Sequence, residues 1–223
     1  MKFHKLAVCI AVLLIGLPIS VNAGWELYDD FSSGAIDAQR WGKDESSASI
    51  SVDGGQAKFI HQINHPNDSS YLHFNQDPAN ILGIKTDVTI ESCTGDVRAR
   101  IAGYSSKVGT NHVFTSIQLQ PSTQTIYTNS GLEGPPPNYT WAQDLHYAHY
   151  QKPVDITGVS FNLTMVFESE RITYEVNGLG KIAYKYATTI ATPDNFFRGM
   201  GTRSTNGEGP CTVYFDNVYV LRP

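Results

Sequence analysis

The chain has 223 residues, with 16 Lys and Arg against 21 Asp and Glu, for a net charge of −5. An acidic balance with no cluster of basic residues argues against a nucleic-acid partner and against binding to an anionic membrane surface. The length suits one domain with a sizeable core, and neither an internal repeat nor a low-complexity linker divides it.

Residues 1–23 have the layout of a secretory signal peptide. Lys2, His4 and Lys5 precede an apolar run from Leu6 to Leu17, Pro18 breaks it, and Val21-Asn22-Ala23 sets small residues before a cut. The run is too short to span a bilayer. The expectation is an exported chain, secreted or periplasmic, whose single domain covers residues 24–223. Loss of Lys2 and Lys5 leaves 14 basic against 21 acidic residues, a net charge of −7. No second long apolar stretch follows, so no membrane span is expected after cleavage. Cys9 leaves with the signal. The two remaining cysteines, Cys93 and Cys211, read as a disulfide in an oxidising compartment.

From there on the chain reads as short strands separated by Gly, Pro, Asn, Asp and Ser. Leu82–Ser92, Val97–Tyr104 and Val113–Gln120 are predicted strands. In the second, Arg98 and Arg100 share a face while Val97, Ala99 and Ile101 take the other; in the third, Gln118 and Gln120 oppose Ile117 and Leu119. Gly134-Pro135-Pro136-Pro137 removes three donors and must be a surface loop. Aromatics crowd after it: Tyr139, Trp141, Tyr147 and Tyr150. Thr140–Tyr150 is the best, if poor, helical candidate. Phe161–Glu168 alternates cleanly, with Phe161, Leu163, Met165 and Phe167 on one side. Ile172, Tyr174 and Val176 follow, and Asn177-Gly178 turns the chain back into Ile182–Tyr186. Pairing Ile84–Cys93 antiparallel to Cys211–Leu221 matches 93 with 211 and 84 with 220. That register sets Asp87 and Thr89 on the face of Val213 and Phe215, so a bulge or another register must intervene. Many short strands with frequent turns predict an all-β, two-sheet antiparallel sandwich.

Two end segments carry a resemblance. Leu27-Tyr28-Asp29-Asp30-Phe31-Ser32-Ser33-Gly34 followed by Trp41 resembles the opening strand of the concanavalin A-like lectin/glucanase superfamily. Val213-Tyr214-Phe215-Asp216-Asn217-Val218-Tyr219-Val220 resembles its closing strand, and Arg171–Gly178 is similar to a laminin-G-like hairpin. The resemblance implies a jelly roll with its first and last strands side by side. It also implies one structural calcium ion near Asp30 and Asp216, whose carboxylates are the hard oxygen donors that calcium takes.

The chemistry is less legible. The superfamily's glucanases carry a Glu-x-Asp-x-Glu run that sets catalytic acids on one strand face. No such run occurs, and Glu168 and Glu170 read as a solvated turn. Its lyases combine an Arg-rich strand, a Gln-x-His strand and a Tyr; Arg98, Arg100, Gln118 and Gln120 echo this without the Gln-x-His pair. His61, His65 and His73 lack metal-site spacing. No nucleophile elbow or phosphate loop is present. The expected ligand site therefore combines Arg98, Arg100, Gln118 and Gln120 as fixed donors and acceptors with Tyr139 and Trp141 as stacking aromatics. The function expected from this pattern is an exported, non-catalytic, lectin-like module that binds a glycan. The alternatives are a polysaccharide-degrading glucanase or lyase with a diverged site, and a structural or adhesive surface protein.

Overall fold

The computed structural model describes residues 24–62, 69–77, 80–108, 111–134, 140–150, 155–168, 170–186, 198–204 and 209–223. The expected signal peptide lies outside these residues, as do His65, Pro135–Pro137 and Tyr139.

The described residues form two antiparallel sheets. The first contains β1 (Trp25–Asp29), β3 (Ala48–Asp53), β4 (Gln56–His61), β6 (Gly83–Cys93), β11 (Ser160–Phe167), β12 (Arg171–Val176), β13 (Gly180–Lys185) and β15 (Cys211–Leu221). Its order is β13-β12-β11-β6-β15-β4-β3, and β1 also pairs with β15. The second contains β2 (Trp41–Asp44), β5 (Ser69–Phe74), β7 (Val97–Val108), β8 (Asn111–Gln120), β9 (Thr125–Glu133), β10 (Trp141–His149) and β14 (Arg198–Ser204), in the order β10-β9-β8-β7-β14-β5-β2.

Strand alternation builds the core between them. Phe161, Leu163, Met165 and Phe167 of β11 and Val88 and Ile90 of β6 meet Val97, Ala99 and Ile101 of β7 and Ile117 and Leu119 of β8. Ala102, Tyr104 and Phe114 form a separate cluster on the other side of the second sheet, its outer face. The expected alternation of β7 and β8 is thus observed, and the outer face already contains more than solvated polar groups.

The opening motif works as a latch. The Asp29 carboxylate accepts the Phe31 backbone N–H at 2.9 Å and the Trp41 indole N–H at 2.7 Å. The first bond holds Phe31 in the left-handed region, at φ 53°, where a non-glycine residue needs compensation. Trp41 then packs edge-on to Tyr28 and against Phe74. Trp41→Ala is expected to cost about 3–5 kcal/mol, read as a lower urea midpoint at unchanged slope. A loss under 1 kcal/mol would mean the latch is dispensable.

The first and last strands lie side by side, as the resemblance implies, with Trp25 opposite Leu221. Cys93 and Cys211 are directly opposed and disulfide-bonded. The parity conflict between them is resolved by two bulges. Thr212 faces Ser92 but Val213 faces Ile90, so Glu91 is extra; Asp216 faces Asp87 but Tyr219 faces Lys85, so β15 regains a residue. Between the bulges Val213 and Phe215 turn inward with Ile90 and Val88, and Asp87 points out. Asn217, in the second bulge, has φ 48°. The hairpin after β12 closes through Asn177, Gly178 and Leu179, with the positive φ at Gly178. Thr140–Tyr150, the helical candidate, is instead strand β10: β9 offers it a free edge, and backbone pairing there outweighs a weak local helical preference.

Candidate functional site on the outer face of the second sheet

Register places a continuous set of side chains on this face. Arg100 lies opposite Gln118 and Gly201, Ala102 opposite Ser116 and Gly199, and Tyr104 opposite Phe114. In turn Gln118 faces Tyr127, Ser116 faces Asn129, Phe114 faces Gly131 and His112 faces Glu133. Beyond β14, Tyr71 and His73 of β5 continue the row.

Two rings lie across glycines of neighbouring strands. A methyl group on Gly131 would overlap the Trp141 indole and one on Gly42 the His73 imidazole, whereas one on Gly201 would meet the Ser70 carbonyl oxygen before the Tyr71 ring. Each ring is flattened on the sheet because the strand beneath it has no side chain there. Trp141 remains 37% exposed, its indole N–H bonded to the Asp144 carboxylate at 2.9 Å. A flat indole, backed by Gly131 and partly open to solvent, is a suitable stacking surface for the apolar face of a sugar ring. Tyr147, also exposed, packs against Tyr127 and His149.

The polar groups form a fixed network. Arg98 donates to the Tyr127 hydroxyl and, at 3.0 Å, to Asp96. Tyr127 donates to the Gln118 carbonyl oxygen at 2.9 Å, and the Gln118 amide donates to Ser116 and Asn129. Gln120 donates to Asp96 at 2.6 Å. Gln118 is only 2% exposed and Arg100 only 3%, although both point away from the main core. Arg100 lies over the rings of Tyr71 and Phe114, and one Nη donates to the Ser69 hydroxyl at 3.0 Å. Burial, reinforced by repulsion from Arg203, lowers its pKa to about 9.

At the other end of the face, the Tyr104 hydroxyl donates to Glu133 Oε2 at 2.6 Å. Glu133 is buried, and this raises its pKa against the opposing pull of Tyr104 and the nearby Arg100. A carboxyl whose burial favours its protonated form is suited to donate a proton.

Of the expected site, Arg98, Arg100, Gln118 and Gln120 share this face and Trp141 borders it; Tyr139 lies outside the described residues. Tyr150 is buried in the main core and belongs to no platform. His61 is also in the core, its Nδ1 3.3 Å from the Thr202 hydroxyl, so it is remote from His73. Glu168 is held by Arg171 at the β11–β12 turn, as a solvated turn residue should be. Glu133 and Tyr104 were not anticipated. Their signal was the alternation Tyr127, Asn129, Gly131, Glu133 and Arg98, Arg100, Ala102, Tyr104.

The two residues expected near calcium sit apart from this face. The exposed Asp30 carboxylate accepts from Ser32. Asp216 accepts from Gln56 at 3.2 Å and from the Asn217 backbone, and it faces Asp87, which accepts from Asn162 and Asn217. These oxygens are the right chemical type for calcium, but protein donors already engage them, and no group of three or more His, Cys, Asp or Glu converges among the described residues.

Neither a protein-family model nor a curated protein sequence matches the chain. Solved structures do. A β-1,3-1,4-glucanase (lichenase) from a mouse hindgut metagenome matches over 90% of this chain and 99% of its own, at 12% identity and a TM-score of 0.62. The κ-carrageenase of Pseudoalteromonas carrageenovora, in complex with an oligotetrasaccharide of κ-carrageenan, matches over 93% and 99%, at 13% and 0.63. The Bacillus licheniformis β-glucanase matches over 90% and 98%, at 13% and 0.63. The chain therefore has the concanavalin A-like jelly-roll fold of these glycoside hydrolases. The expectation of a non-catalytic lectin-like module is corrected: the structures that share this fold over almost their whole length are catalytic hydrolases. Absence of a Glu-x-Asp-x-Glu run on one strand does not separate binding from cleavage, because an acid can reach the same sheet face from another strand.

Proposed function

We propose that this chain is a polysaccharide-degrading enzyme that lays its substrate across the outer face of the second sheet and uses Glu133 as the proton donor. The observation that carries the reading is the buried Glu133 carboxyl, oriented by Tyr104 and biased toward its neutral form on a face otherwise built of fixed hydrogen-bonding groups and flat rings. With Oε2 accepting from Tyr104, Oε1 is left to protonate a departing glycosidic oxygen while water adds to the anomeric carbon and releases its proton to solvent. Gln118, Asn129 and Tyr127 bond to one another and stiffen the sheet beside it, and Trp141 stacks a sugar at the β10 edge. Several glycoside hydrolases of this fold have been solved with bound oligosaccharides, including a Bacteroides ovatus enzyme with its G4G4G3G product, which supports a glycan as the substrate here. The test is release of reducing ends and of unsaturated products from a polysaccharide panel by the protein from residue 24 onward. Activity on no polymer would remove the proposal.

Trp141→Ala should weaken polysaccharide binding roughly 3- to 10-fold, the loss of one stacking contact, read by affinity electrophoresis. An unchanged retardation would exclude the platform. Export with removal of residues 1–23 is part of the proposal, tested by N-terminal sequencing of the secreted protein. A structural calcium held by Asp30 and Asp216 is proposed on the same terms. It predicts a melting temperature raised by calcium and lowered by EGTA, and coincident melting curves would remove it.

A further inference from the structure

We infer that the substrate is an acidic polysaccharide, with a carboxylate or sulfate on one sugar unit seated against Arg100. This deepens the proposed function and rests on its assignment of the substrate to this face. Arg100 is 3% exposed, and its Nε and one Nη have no hydrogen-bond partner. The other Nη reaches only the neutral Ser69 hydroxyl. The remaining contacts are the faces of Tyr71 and Phe114, which soften the charge without neutralising it. No carboxylate forms an ion pair with Arg100 among the described residues. Asp96 is committed to Arg98, and the Glu133 carboxyl is bonded to Tyr104. Arg203, opposite Arg98 in the adjoining strand, adds positive charge to the same floor.

A buried guanidinium without a counterion is costly, and folding alone offers no reason to keep it. A ligand that brings the anion gives one. Each unpartnered nitrogen lies beside the Nη that donates to Ser69, and its N–H remains available to an oxygen of a carboxylate or sulfate. A neutral glucan offers only hydroxyls, which leave the charge uncompensated. Uronates and sulfate esters share the recognising chemistry, and the experiment separates them.

The experiment is affinity electrophoresis of the Glu133→Gln protein, which cannot transfer the proton, through gels holding polygalacturonate, alginate, κ-carrageenan, lichenan or none. Arg100→Met and Arg100→Lys are run in the same background, and the melting temperature of each is recorded. The expected result is retardation by polyuronate or by sulfated galactan at least tenfold stronger than by lichenan. Arg100→Met should abolish that preference without lowering the melting temperature, and Arg100→Lys should retain part of it. Which acidic polymer retards the protein identifies carboxylate or sulfate as the recognised group. Equal or stronger retardation by lichenan, or an Arg100→Met variant that keeps its preference for the acidic polymer, would overturn the inference. The two readings fail separately: cleavage of a neutral glucan by wild type removes the acidic substrate and leaves the enzyme, whereas tight binding of an acidic polymer that is never cut does the reverse.

Discussion

Glu133→Gln is expected to lower polysaccharide cleavage by about 10²- to 10⁴-fold, with little change in binding. The substitution keeps the size of the side chain and an oxygen for Tyr104 to donate to, so the outer face should stay assembled; only the transferable proton is lost. The pH profile provides a second reading. Burial raises the Glu133 pKa, so the protonated, active form persists above the ordinary carboxyl range, and activity should fall as pH climbs through that raised value. Tyr104→Phe removes a bond that favours the charged form, so it should move this limb to higher pH. Stability follows the same sign. The folded protein holds the Glu133 proton more tightly than the unfolded chain, so this contribution is fully present below the ordinary carboxyl value of 4.5. It is lost as pH rises through the folded value. The Glu133→Gln protein should lack that dependence. Retention of more than a tenth of wild-type activity would remove Glu133 from the chemistry.

Loss of the disulfide should be a large stability effect, comparable to that of Trp41→Ala. Cys93 and Cys211 are separated by 118 residues, and closing a loop of that length stabilises by about 3–5 kcal/mol in the chain-entropy account. For a chain of this size that corresponds to a melting temperature lower by roughly 10–15 °C. The Cys93→Ser/Cys211→Ser double variant should show this shift, and dithiothreitol should reproduce it in wild type and change nothing in the variant. The bond joins β6 to β15, two central strands of the first sheet, so its loss acts on the half of the sandwich that does not carry the proposed site. Activity well below the new transition should therefore be preserved. Two free thiols by Ellman titration of the denatured, unreduced wild type would refute the assignment.

The fold was legible where alternation was strong and turns were marked. Phe161–Phe167 alternates inward and outward without a break, and Gly178 lies at a turn that needs positive φ, so β11, β12 and β13 could be read directly. The numerical match of Cys93 with Cys211 and Ile84 with Val220 found the true register at both ends, and the expected parity conflict pointed to bulges that the structure contains. Half of the site was legible for the same reason: Arg98 with Arg100 and Gln118 with Gln120 could only share a face. Glu133 was lost because Gly131 and Gly134 flank it just ahead of the prolines, so the segment reads as a loop. A glycine beneath Trp141 serves packing there rather than a turn, and no local pattern distinguishes the two. Tyr104 stood inside a predicted strand, but its partner Glu133 lies on β9, out of reach of any local pattern. Asp87, which faces Asp216, became visible only once the bulges had turned it outward.

The glycine beneath Trp141 also bears on the thermodynamics of ligand capture. A tryptophan free to rotate on an open strand loses side-chain entropy when it stacks on a sugar. Here the indole is pinned to the β9 backbone at Gly131 and tethered to Asp144, so that loss occurs during folding. Gly131 thus belongs to the binding surface without meeting the ligand, and the two residues form one mutational unit. Gly131→Ala should lift the ring and restore its motion. Calorimetry would then show a weaker complex with a less favourable binding entropy, although every atom that touches the sugar is unchanged.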